Sequence, residues 1–133
     1  MSEKHLCLAK KFNEFAYELV SKETTIKGNL TSLKDDSLFR RVIFQKYYYA
    51  LYHKYLAHDD ELSSKTGSGK HGAIKSKIEK CRDKKLYQVF IKLQNLRVWA
   101  DYEYSDQDMA LNVKLEEINS NVWSIIKRSN INC

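Results

Sequence analysis

The sequence predicts an all-α fold, an up-and-down bundle of four long helices plus one short helix, in a single domain over residues 1–133. Three observations predict it. There is no proline, so no residue locks φ or removes a backbone donor. The four glycines, Gly28, Gly67, Gly69 and Gly72, fall in only two places, which leaves long stretches without strong breakers. Apolar residues recur every three or four positions, and no stretch sustains the alternation of a strand.

The first helix is expected over about 2–23, with Leu8, Phe12, Phe15 and Leu19 as one apolar stripe and Ser2 as its start. A polar linker holding Gly28 and Asn29 follows. Asp35, Asp36 or Ser37 then caps the second helix, because a short side-chain oxygen accepts the unpaired N–H groups of a first turn. That helix, about 37–58, carries Leu38, Val42, Tyr49, Tyr52 and Leu56 on one face and Phe39, Ile43 and Ala50 on another, as expected of a central helix touched by several neighbours. The Ser/Gly/Lys segment 63–70 reads as a loop, and a short third helix spans about 71–81. The fourth, about 84–104, aligns Leu86, Val89, Phe90, Leu93, Leu96 and Ala100. Ser105 and Asp106 break it from the fifth, about 106–129, which aligns Leu111, Leu115, Ile118, Val122 and Ile125.

Composition excludes several classes. At 43% hydrophobic and 30% charged the chain is not a disordered tail, and no apolar run approaches the roughly 20 residues of a membrane span. The N-terminus leads into an amphipathic stretch rather than an apolar signal, so a cytoplasmic location is expected. Cys7, Cys81 and Cys133 are odd in number and far apart, which predicts free thiols rather than a disulfide framework or a zinc site. No cofactor and no metal are expected; His53 near Asp59 and Asp60 matches no standard ligand spacing.

A net charge of +6 permits contact with phosphate, and much of it is concentrated. Lys65, Lys70, Lys75, Lys77, Lys80, Arg82, Lys84 and Lys85 face only Glu79 and Asp83 over 65–85. A solvated helix face and a nucleic-acid contact both account for this run. The GSGK within it lacks the spacing and the preceding strand of a phosphate-binding P-loop. Nine tyrosines exceed what a small core needs, and Tyr47, Tyr48, Tyr49, Tyr52 and Tyr55 crowd one helix. Arg97 lies on the apolar stripe of the fourth helix and requires a partner there. Asp101, one turn on, can supply it, or Arg97 faces a cleft and binds a phosphate beside Tyr102 and Tyr104.

The segment Tyr48-Tyr49-Ala50-Leu51-Tyr52-His53 resembles the YYA-[LM]-[FY]-H signature of small prokaryotic HEPN proteins. Lys70-His71-Gly72 looks like their element opening the third helix, and Leu96-Arg97 followed by Ala100-Asp101-Tyr102 looks like their R..ADY motif. The resemblance spans about 38–122. It implies a HEPN-type bundle, a homodimer whose paired Arg motifs line a shared cleft, and a place in defence or toxin-antitoxin systems. Many members are metal-independent RNases with an Arg-spacer-His motif, and those partnered by a nucleotidyltransferase antitoxin read Arg-x4-His-x-Tyr. Here the stretch runs from Arg97 to Tyr104 with Tyr102 in the histidine's place, a degenerate Arg-x4-Tyr-x-Tyr. A tyrosine of pKa about 10 is a poor base, and general acid-base help is worth about 100- to 10,000-fold.

The resemblance therefore implies RNA as partner, with Arg97, Asp101, Tyr102, Tyr104 and a substitute base, His53, as catalytic residues. Lys70, His71, Lys75 and Lys77 would hold RNA. The alternative is a non-catalytic nucleotide- or protein-binding module using the same dimer cleft, and a third reading is a structural dimerisation domain in which Arg97 and Asp101 are a satisfied pair.

Overall fold

The computed structural model describes residues 2–65, 67–103, 108–131 and 133. Among these, every regular element is helical: α1 (Glu3–Ser21), α2 (Glu23–Asn29), a 3-10 turn (Thr31–Lys34), α3 (Asp36–Ala57), α4 (Asp60–Ser63), α5 (Lys70–Glu79), α6 (Lys84–Tyr102), α7 (Asp108–Asn112) and α8 (Leu115–Ile126). The four long helices are α1, α3, α6 and α8, and their directions alternate. Ser2 N–H donates to Ala57 O, so the start of α1 meets the end of α3. Arg41 near the start of α3 binds carbonyls at the end of α6. Tyr47 meets Asn119 and Lys54 meets Arg128, so α8 runs with α3, while Lys85 meeting Asn121 sets it against α6.

Each start has a chemical cause. Ser2, Asp35, Asp59 and Asp83 accept from the N–H of His5, Leu38, Leu62 and Leu86, closing the first turns of α1, α3, α4 and α6. Gly69 takes a left-handed backbone, φ +95°, just ahead of α5, a conformation that costs glycine little. Gly28, expected in a linker, sits instead inside α2, where nothing lies within 4 Å of the position its Cβ would take. The expected fifth helix is two, α7 and α8; the predicted cap pair Ser105 and Asp106 lies outside the described residues.

The core confirms α3 as the central helix: Phe39, Ile43, Phe44, Tyr47, Tyr48, Ala50, Leu51 and Leu56 are buried. The predicted stripe of α6 is buried in full. That of α1 is rotated by about one residue. Ala9, Asn13, Ala16 and Leu19 face inward, while Phe15 is 46% exposed and Phe12 packs at the edge. The two alanines let the α1 and α3 backbones approach closely, so small size outweighed hydrophobicity in choosing the buried face.

The cysteine expectation is overturned. Cys81, just past α5, is disulfide-bonded to Cys133, with Cα atoms 4.6 Å apart, and only Cys7 is free. Sequence separation misled here because the C-terminal tail folds back along the bundle. Two polar contacts hold it: buried Lys54 donates to Arg128 O, and the Arg128 guanidinium pairs with buried Asp83.

Candidate functional site

Arg97 projects from the C-terminal third of α6 toward α3. Its guanidinium lies 5.0 Å from the centroid of the Tyr48 ring, and its Nε lies 3.1 Å from Asp101 Oδ2. This is an ion pair without a hydrogen bond, since Nε is buried and makes none. The expected Arg97 and Asp101 contact is thus present, and it leaves hydrogen-bonding capacity on the guanidinium. Gln45 of α3 donates to the other carboxylate oxygen of Asp101 at 2.5 Å, which fixes the acid in place. Arg41 braces the end of α6 by donating to the carbonyls of Trp99, Ala100 and Glu103 and lying 3.9 Å over the Trp99 ring. A cation on the last carbonyls of a helix is favourable electrostatically, so this contact positions the turn that carries Arg97 and Asp101.

The structure brings a histidine to this arginine. His71, in the first turn of α5, shares a hydrogen bond of 2.8 Å between its Nδ1 and the Tyr48 hydroxyl, and its ring stacks with Tyr48 at 5.7 Å and meets Tyr52 in a tilted contact at 4.7 Å. Burial and then the Arg97 charge lower the His71 pKa, with Asp101 opposing. The ring is therefore neutral at pH 7. Burial pushes the Tyr48 hydroxyl up to about 12, so it stays protonated. When Nδ1 carries the proton and donates to Tyr48, Nε2 holds a free lone pair, which is the state a general base requires. Arg97, Tyr48 and His71 thus join three helices in one constellation.

His53, the expected substitute base, lies one turn further along α3, where its ring meets Tyr52, which also packs on His71, and it pairs with His5 rather than with Arg97. Its Nδ1 is 2.9 Å from that of His5, and Phe12 stacks on its ring with an interplanar angle of 4°. Burial, then His5 and Lys70, push its pKa down to about 4. Two imidazoles sharing one short contact accept one donor and one lone pair, and a second proton would place two cations together. Because the folded value lies below the unfolded 6.5, the stabilising contribution is complete above pH 6.5 and is lost as pH falls toward 4. Allowing for solvent around a half-buried ring, we expect a loss of about 1–2 kcal/mol across that window. Urea unfolding at several pH values checks this: His53→Gln should flatten this part of the pH dependence, and an unchanged slope would refute it.

The remaining predicted residues separate. Lys70 lies near the His5 and His53 pair, whose pKa values it lowers. Lys77 is engaged instead with Asp59 at 3.1 Å and Glu61 at 3.6 Å, and Lys75 is exposed on α5. Tyr102 is 67% exposed at the end of α6, and Tyr104 lies outside the described residues. From the sequence, His71 is expected only as an RNA contact and Tyr48 has no expected role. The signal for both was the presence of Lys70-His71-Gly72 and the tyrosine run in one chain, but their contact depends on how α5 docks on α3. Among the described residues, no group of three His, Cys, Asp or Glu side chains is arranged to hold a metal ion. Comparison with family models, curated proteins and solved structures returned no match to this chain.

Proposed function

We propose that the chain is a HEPN-type protein of a prokaryotic defence or toxin-antitoxin system, acting on RNA in the cytoplasm as a homodimer and cleaving it without a metal. The observation that carries the proposal is the pairing of Arg97 with His71 through Tyr48. It supplies the arginine and the histidine that the degenerate Arg97 to Tyr104 stretch holds only in part. In the reaction, Arg97 binds a non-bridging oxygen of the scissile phosphate and stabilises the charge that builds there. His71 Nε2 takes the proton of the 2'-hydroxyl, whose oxygen attacks phosphorus. The 5'-oxygen leaves and takes up a proton, giving a 2',3'-cyclic phosphate and a 5'-hydroxyl. Asp101 and Gln45 are positioning residues, since they hold Arg97 rather than reach substrate.

The exposed apolar side chains Leu38 of α3 and Val98 and Tyr102 of α6 lie on two of the three helices that carry the site. They support a dimer formed over it. In the same reading, a nucleotidyltransferase partner would modify Tyr104. A second reading, a non-catalytic binding module, is favoured by one observation: the Arg97 side chain is only 14% exposed and already faces a carboxylate.

The test is cleavage of a mixed RNA in EDTA by wild-type and Arg97→Ala protein, with a gel shift on the same RNA. Cleavage that falls about 100-fold or more in the variant supports the nuclease, as loss of one transition-state donor does elsewhere. Unchanged cleavage removes it. A gel shift without cleavage in either protein leaves the binding module.

A further inference from the structure

The Cys81 and Cys133 disulfide ties the end of α5 to the segment that follows Arg128, and it is not sealed in the core. Cys133 is exposed and Cys81 is half-buried. Two open cavities reach the bond. The first, of about 460 Å³, is lined by both cysteines and sets Asp59 and Asp60 against Lys77 and Lys80. The second, of about 560 Å³, is lined by Lys80, Arg82, Ile131 and Cys133 and contains no acid.

The two cavities therefore differ in charge and in which sulfur they present. Lys80 and Arg82 flank Cys81 in the sequence and are exposed, and neither pairs with a carboxylate among the described residues. The nearest acids along the chain do not neutralise them. Asp83 is buried and paired with Arg128, and Glu79 is not part of the lining. A thiolate exchanges with a disulfide by attacking one sulfur and expelling the other. From the second cavity the sulfur it meets is that of Cys133, with Cys81 as the leaving group. Cations beside the attacked sulfur favour a reagent that carries negative charge besides its thiolate, by about fivefold for each close pair of unit charges in water.

We propose that Cys133 is a site of thiol exchange with a small acidic thiol, one that bears carboxylates beside its sulfur and lies against Lys80 and Arg82. Its thiolate attacks Cys133 Sγ, and the electrons of the protein S–S bond pass to Cys81 Sγ, which leaves as a thiolate and takes up a proton. The product is a mixed disulfide on Cys133. A second acidic thiolate attacks the reagent's sulfur in that mixed disulfide and releases Cys133, which takes up a proton. Two small thiols are thereby oxidised to one small disulfide, and the protein bond is reduced by the same two electrons. Arg128 stays held by Lys54 and Asp83, so the exchange frees the segment 129–133 while the bundle keeps its anchor. The proposal is independent of the nuclease reading.

The test is the rate of reduction of the native oxidised protein by glutathione, which is anionic, by neutral 2-mercaptoethanol and by cationic cysteamine, each rate divided by thiolate concentration and corrected for thiol basicity. Glutathione is expected to be roughly tenfold faster than 2-mercaptoethanol, with cysteamine slower than both. That advantage should shrink to about twofold in about 1 M salt, where charges are screened beyond roughly 3 Å. Lys80→Gln combined with Arg82→Gln should slow glutathione roughly fivefold or more and leave 2-mercaptoethanol within about twofold. Lys11→Gln combined with Lys92→Gln removes the same charge from exposed positions on α1 and α6 and should leave the order of rates as it is. Acid quenching during the reaction, followed by peptide mass mapping, should find glutathione on Cys133. A bond that none of the thiols reduces without denaturant, an unchanged glutathione advantage after loss of Lys80 and Arg82, or an adduct on Cys81 instead would overturn the proposal.

Discussion

Replacing His71 by alanine is expected to lower RNA cleavage by about 100- to 10,000-fold, the usual worth of a positioned acid-base group. His53→Ala should leave the rate within about tenfold, because His53 pairs with His5 under Phe12 and has no direct contact with Arg97. The pH profile separates a base from a structural ring. His71 titrates below its ordinary 6.5, so cleavage should rise with pH through an apparent pKa under 6.5 and stay level above it. Tyr48→Phe removes the hydroxyl that holds Nδ1 while keeping the ring under Arg97. It should reduce kcat and shift the profile, leaving RNA retention in the gel shift unchanged. Equal activity of wild type and His71→Ala would remove His71 as the base and return the proton transfer to His53, the substitute base that the resemblance implies.

The difference between His53 and His71 shows what a linear reading reaches. Both histidines belong to recognisable motifs, and both helices were placed to within a residue or two, because apolar periodicity and the Asp caps are local properties. The Arg97 and Asp101 pair was legible for the same reason, one turn being a fixed distance on a helix. Which histidine meets Arg97 depends on the angle at which the short α5 docks against Tyr48 and Tyr52, and that angle follows from tertiary packing. The rotated face of α1 has a similar origin. Hydrophobicity favoured the stripe of Phe12 and Phe15, while the approach to α3 selected Ala9 and Ala16. Asn13 came inward with them, and no rule of pattern would have placed an asparagine there.

Removing the disulfide, by Cys81→Ser or by reductant, is expected to cost about 4 kcal/mol. Fixing two residues 52 positions apart takes loop-closure entropy from the unfolded chain on that order. For a chain of 133 residues this corresponds to a fall in Tm of roughly 14 °C. The tail has independent anchors in the Lys54 and Asp83 contacts to Arg128, so the reduced protein should stay folded and helical at 25 °C. Thiol titration of the denatured protein should find one free thiol, that of Cys7, before reduction and three after it. The consequence bears on location, because such bridges persist in oxidising surroundings and are rare in a reducing cytoplasm. A protein purified from a reducing cytoplasm with three free thiols, and with a Tm that reductant does not change, would show that the cross-link is not part of the working molecule. One free thiol and a fall of the expected size would instead make the cross-link a structural part of the fold, and would count against the proposed cytoplasmic setting unless the bond resists reduction there.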